Sequence, residues 1–362
     1  MRSGLIATLS IVLMLAVDRP TAFAAQVAPP VASPPASPVL PSSVPTLVAP
    51  PAPQPPAPQP RPAFWLPIAP PAFSEAINPL TVDDEDFARH RSPSEWAGLS
   101  VRRLSFNDGE INWTVWRIVN DQHRDGPLWV LPHDNENATF GAALIALHNY
   151  GGIAMAIDDR SNRMNYDSTS GASVDPNRHF YDAIPLYAGR ILADVGTPPR
   201  LIVALHTNSP GFDQSLSLCP ISGLTGSGDI SIKLCTARYI PRPSLKKAWP
   251  FDDDDSLALV PYAAGSDWRA AFCVRPLMAA DFNLITEQVS SSDGSLSNYA
   301  LAHGLTYINF ETRERGSDPM GLADAQGRLV AMIDRAMALC TNLRKATPTP
   351  PAAAPAIVPI KP

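Results

Sequence analysis

From about residue 73 to about residue 345 the chain alternates two apolar patterns. Short, nearly continuous apolar runs predict strands over "INWTVWRIV" (Ile111–Val119), "DGPLWVLP" (Asp125–Pro132), "GIAMAID" (Gly152–Asp158), "RLIVALHT" (Arg200–Thr207) and "LTYINFET" (Leu305–Thr312). Between them, "TFGAALIALHN" (Thr139–Asn149), "HFYDAIPLYAGRILADV" (His179–Val195), "SLSNYALAHG" (Ser295–Gly304) and "GLADAQGRLVAMIDRAMALCTNL" (Gly321–Leu343) predict helices. Strands alternating with helices imply an α/β chain. The expected architecture is one three-layer α/β/α domain around a twisted, mixed and largely parallel central sheet. In such sheets ligands gather in the crevice outside the carboxyl ends of the strands.

The two ends of the 362-residue chain break this pattern. Arg2, the apolar run Leu5–Val17 and the small residues up to Ala25 have the layout of a secretory signal peptide. The run is short for a bilayer span, so no transmembrane segment is expected after cleavage. Residues 26–72 carry 18 of the 41 prolines and read as an extended proline-rich linker, as do residues 346–362. The expected order is signal peptide 1–25, linker 26–72, one domain over 73–345, and tail 346–362. Export to the periplasm or the medium follows from the leader.

The net charge of −6 is mild and no Lys/Arg cluster stands out, which argues against nucleic acid as a partner. The acidic run "FDDDDS" (Phe251–Ser256) reads as a solvated loop, since it lacks the alternating oxygen ligands and turn glycine of a calcium loop. The four cysteines, Cys219, Cys235, Cys273 and Cys340, allow three disulfide connectivities in an exported chain. One of these closes Cys219 onto Cys235. None forms a C-x-x-C pair.

The predicted strands end on chemistry. "WVLP" runs into His133 and Glu136, "LIVAL" into His206, and "TYINF" into Glu311. Two histidines and a carboxylate form a ligand set for catalytic zinc, which takes three protein ligands and leaves a position open. His133, Glu136 and His206 are the candidate ligands. Glu311, on a further strand end, is the candidate general base. An H-x-x-E pair alone is a weak signal, so the combination carries the expectation.

The flanking residues add to it. In chain order the sequence has His133-x-x-Glu136, Arg160 and Arg163, Asn177-Arg178 in "SVDPNRHF", His206 in "ALHTN", and Glu311 in "FETRERG". This series resembles that of the zinc carboxypeptidase superfamily, which includes the carboxypeptidase A-like enzymes and aspartoacylase-like deacylases. The resemblance covers about Leu131 to Gly316. It implies zinc on His133, Glu136 and His206, and Glu311 as general base. It also implies a substrate carboxylate gripped by Asn177 and Arg178, and an arginine beside the developing oxyanion. Spacing to the Asn-Arg pair favours Arg160 for that last role and leaves Arg163 to substrate binding. The sequence departs from the pattern in two places. The position of a mobile tyrosine falls near Val289, and the segment from Glu136 to His206 is short.

The resulting expectation is an exported zinc carboxypeptidase or amidase cutting an amide beside a free carboxylate, with envelope peptides such as peptidoglycan stems as candidate substrates. One alternative is an aspartoacylase-like deacylase of small N-acyl amino acids. Another is a catalytically silent binding module on proline-rich arms. The sequence is silent on oligomeric state.

Overall fold

The computed structural model describes residues 73–167, 171–208 and 238–345. The expected signal peptide (1–25), the expected linker (26–72) and tail (346–362), Cys219 and Cys235 lie outside the described residues. The elements in chain order are β1 (Phe73–Ile77), α1 (Glu85–Arg89), β2 (Leu99–Asn107), β3 (Asn112–Asn120), β4 (Leu128–Leu131), α2 (Asn137–Tyr150), β5 (Ile153–Asp158), the short hairpin strands β6 (Asn165–Tyr166) and β7 (Ser173–Val174), α3 (Pro185–Ile191), β8 (Ile202–Asn208), β9 (Tyr239–Arg242), β10 (Leu257–Ala263), α4 (Val274–Ala279), β11 (Leu284–Val289), α5 (Leu296–Ala302), β12 (Tyr307–Arg313) and α6 (Pro319–Cys340).

Ten strands form one mixed sheet in the order β1-β2-β3-β5-β4-β8-β12-β10-β11-β9. The central strands β5, β4, β8 and β12 run parallel, and antiparallel pairs join the flanks to them. Residues on the two faces of the sheet enter two separate cores. Trp129, Leu131, Val203 and Leu205 pack with α2, α4 and α6. Leu128, Val130, Ile202 and Ala204 pack with α3 and α5. Burial on both sides explains why β4 and β8 read as continuous apolar runs rather than alternating ones. The three layers and the mixed sheet with its parallel centre agree with the sequence expectation.

Local chemistry sets the helix ends. Asp318 caps α6 by accepting from Met320 N and Gly321 N, and Pro319 follows at the first helical position. Gly151 and Gly152, at φ 70° and 95°, turn the chain from α2 into β5 in a region that side-chain-bearing residues avoid. A disulfide joins Cys273, at the start of α4, to Cys340, at the end of α6.

Two expectations change. The single helix expected over His179–Val195 is confined to Pro185–Ile191, with a short 3-10 turn at Ala193–Val195. Pro185 can start a helix but not sit within one, and the preceding residues are used elsewhere: Phe180 N donates to Gly294 O at 2.9 Å. The run Asp252–Asp255 is not a solvated loop. Arg313 pairs with Asp254 and Asp255, Arg315 with Asp253, and Arg328 with Asp252. Arginines from the end of β12 and from α6 thus neutralise the run, and Asp255 is buried.

Candidate active site and metal centre

Strand register brings the candidate residues together. Val130 on β4 lies opposite Ala204 on β8, so both strands leave the sheet at the same level, one towards His133 and the other towards His206. On β12, Glu311 is the direct partner of His206. Paired residues on neighbouring parallel strands project to the same face. The loop from Pro132 is closed by Glu136 N donating to His133 O at 3.2 Å. Glu136 then begins α2, its carbonyl accepting from Thr139 N and Thr139 Oγ1. A strand handing directly to a helix therefore sets the histidine and the glutamate on one short turn.

One ligand atom from each of His133, Glu136 and His206 lies within 4.8 Å of the others, and all three residues are buried. Glu136 is the hub. Its Oε1 lies 2.8 Å from His133 Nδ1, and its Oε2 lies 3.3 Å from His206 Nδ1. Oε2 also accepts from Thr207 N at 2.7 Å, and Oε1 from Arg163 Nη1 at 2.6 Å. Burial alone would raise the Glu136 pKa, but the two histidines hold it well below the usual carboxylate value.

His133 faces a second carboxylate. Its Nε2 lies 2.9 Å from Asp175 Oδ1. A carboxylate can only accept here, so both ring nitrogens carry protons and the metal-free imidazole is a cation. Burial opposes that charge, but Glu136 and Asp175 outweigh it and raise the His133 pKa to about 9.

These residues fit zinc. The donor set is two nitrogens and one carboxylate, converging within a span a single ion can bridge. The outer nitrogen of His133 already has the carboxylate partner that orients a metal-binding imidazole. His206 Nε2 is buried without a hydrogen-bond partner.

Glu311 is held at Oε1 by Asn309 Nδ2 at 2.8 Å. Burial raises its pKa, with nearby Glu136 adding to the shift and His206 opposing it. A carboxyl raised towards neutrality suits proton transfer in both directions.

The two arginines separate. Asp134 Oδ2 captures Asp159 N at 2.9 Å and Ser161 N at 2.6 Å, so the chain turns with Arg160 at φ 56°, exposed on the apex. Spacing favours Arg160 for the oxyanion position. The structure instead brings Arg163, three residues further on, against Glu136. Arg178 is exposed and its Nη1 donates to Asp293 Oδ2 at 2.6 Å. Asn177 lies beside it with Oδ1 buried and without a hydrogen-bond partner. Val289, at the end of β11, is buried.

The sequence expectation does not include Asp175, which stands in "SVDPNRHF". Its Oδ1 accepts from Asn177 N at 2.8 Å as well as facing His133, so it joins the Asn-Arg turn to the metal centre. An Asp immediately before Pro is a helix-start signal that could have flagged it. Replacing Asp175 by Asn should weaken zinc binding about 10–100-fold while the fold persists. Zinc affinity measured by competition with a chelating dye checks this; an unchanged affinity would remove Asp175 from the centre.

No family model and no curated protein matches the chain. Among solved structures the chain is similar to the succinylglutamate desuccinylase of Chromobacterium violaceum at 12% identity, over 68% of this chain and 73% of that one, with a TM-score of 0.34. It is similar to a succinylglutamate desuccinylase/aspartoacylase of Rhodobacter sphaeroides at 13% identity, over 69% and 67%, with a TM-score of 0.32. It is also similar to the product-bound ectoine utilization protein EutE of Ruegeria pomeroyi at 13% identity, over 76% and 72%, with a TM-score of 0.34.

Proposed function

We propose that this chain is a zinc-dependent hydrolase that cleaves an amide bond beside a free carboxylate. One observation carries the reading: a buried His-Glu-His set with a half-buried carboxyl, Glu311, in register with one of its members on the adjacent strand. His133, Glu136 and His206 would hold the ion. When bound, zinc supplies Lewis acidity that polarises a carbonyl and acidifies water. Glu311 accepts the proton of the attacking water and returns it to the leaving amine. Arg163 places positive charge beside the centre, where negative charge develops in amide cleavage. Arg178 and Asn177 take the substrate carboxylate, which a guanidinium can bind through two parallel hydrogen bonds.

The substrate is either a peptide with a free C-terminus or a small N-acyl amino acid, since both present the same amide and carboxylate. Export rests on the leader pattern Arg2–Ala25, and an envelope substrate such as peptidoglycan peptides rests on export alone.

Metal analysis of the purified chain by mass spectrometry, alongside a His133→Ala/His206→Ala variant, tests the centre. About one zinc per chain is expected, lost in the variant. The zinc-loaded chain should then release amine from a panel of N-acyl amino acids and C-terminally free peptides. No zinc after incubation with the ion would leave the tethered binding module as the better account.

A further inference from the structure

Asp293 belongs to none of the motifs that make the metal centre, yet it joins two segments beside it. Its Oδ1 is fixed by three donors from the following turn: Ser295 N at 3.0 Å, Ser295 Oγ at 2.5 Å and Asn298 Nδ2 at 2.8 Å. Its Oδ2 takes Arg178 Nη1 at 2.6 Å. Arg238 Nη2 stands 3.5 Å from that same oxygen and donates to Glu287 Oε1 at 2.7 Å. The backbones are docked as well. Phe180 N donates to Gly294 O at 2.9 Å, and Tyr181 OH to Asp293 O at 3.3 Å. Gly294 has φ 80°, and a side chain there would collide with the Arg178 carbonyl and the Tyr181 hydroxyl. Only glycine lets the two segments approach this closely.

Of the nitrogens of Arg178, only Nη1 has a hydrogen-bond partner among the described residues, and the side chain is 47% exposed. Arg178 is also three residues from Asp175, whose carboxylate faces His133.

We propose that Asp293 is a positioning residue for substrate recognition: it holds Arg178 by one nitrogen and leaves the Nε–Nη2 edge to receive a substrate carboxylate. This rests on the hydrolase reading above. A carboxylate pinned by three donors is a rigid anchor. It removes most of the rotamer freedom that Arg178 would otherwise lose when substrate binds. Asp293 therefore acts on affinity for the free acid and not on the reacting amide.

The test measures binding rather than turnover. In a zinc-loaded Glu311→Gln background, calorimetry gives Kd for N-acetyl amino acids and for the same compounds as C-terminal amides. The parent should prefer the acids. Asp293→Asn keeps an oxygen for Ser295 and Asn298 but loses the acceptor for Arg178. It should weaken acid binding about 10- to 100-fold and leave amide binding unchanged. If the Asn variant melts early, Asp293→Glu keeps the charge one methylene out of place and should still weaken the acids alone. Equal weakening of acids and amides, an undiminished preference in the variants, or no preference in the parent overturns the proposal. Turnover by the wild-type chain reports separately on the hydrolase reading. An Asp293-dependent preference without turnover would keep this assignment and lose the hydrolase.

Discussion

Replacing Glu311 by Gln is expected to lower kcat about 10³-fold, within the range a positioned acid–base group supplies, while the chain keeps its zinc. Gln has nearly the shape of Glu, and its carbonyl can still accept from Asn309 Nδ2, the bond that now holds Glu311 at 2.8 Å. The strand pairing of residue 311 with His206 is a backbone property and survives the change. The three candidate ligands are untouched. Only the capacity to take and return a proton is lost. KM should therefore move little, because an effect confined to proton transfer appears in kcat and kcat/KM alike. Steady-state kinetics on the best substrate of the panel, with zinc content measured on the same samples, checks this. A binding module would be indifferent to the substitution. A variant that loses zinc together with activity would show Glu311 to be part of the metal shell rather than a base.

Much of this centre is legible in the sequence because it sits where strands end. β4 and β8 are buried on both faces, so their apolar runs are unbroken and their last residues are easily located. The polar residue that follows each run stands out against it. Glu311 is found in the same way at the end of "TYINF". The flanks of the sheet are harder. β2 carries Arg102 and Arg103 and lies towards the β1 edge, so half-exposed positions blur its alternation. β10 contains Pro261, and β11 contains the buried Glu287, whose charge is met by Arg238 from outside the strand. Pro261 argues against a central strand at β10, and the Glu287 charge interrupts the apolar pattern of β11.

The arginines show a second limit. Spacing to the Asn-Arg pair favours Arg160 over Arg163, but which arginine faces the site is decided by a backbone turn. Asp134 captures two peptide N–H groups of that turn, sending residue 160 outward and bringing residue 163 back to Glu136. A side chain that acts through backbone N–H groups from a different loop leaves no periodic signal. The acidic run at Asp252–Asp255 is a parallel case, since its partners Arg313, Arg315 and Arg328 are some sixty or more residues away and meet it only after β12 and α6 are placed.

Zinc affinity is expected to rise about tenfold for each pH unit up to about pH 9 and then to level off. The cause is the proton on His133. In the metal-free chain its two nitrogens face Glu136 and Asp175 at 2.8 and 2.9 Å, and its pKa stands at about 9. Zinc needs the Nδ1 lone pair, so binding must expel one proton, and expulsion becomes easier as pH rises. Glu136 adds no proton to this count, because its pKa is held well below the usual carboxylate value and it is already ionised. Folding stability of the metal-free chain should have the opposite sign. A histidine whose pKa is raised on folding contributes stability that is fully present below its unfolded value of about 6.5 and is lost as pH rises through about 9. The metal-free chain should therefore melt at a lower temperature at about pH 9 than at about pH 6.5, while the zinc-saturated chain, with its proton already gone, should not show that loss. Chelator competition across this range, paired with thermal melts of the two forms, measures both slopes. A zinc affinity independent of pH below about 9 would mean that His133 is neutral without metal, and that Glu136 and Asp175 do not act on it as their distances imply.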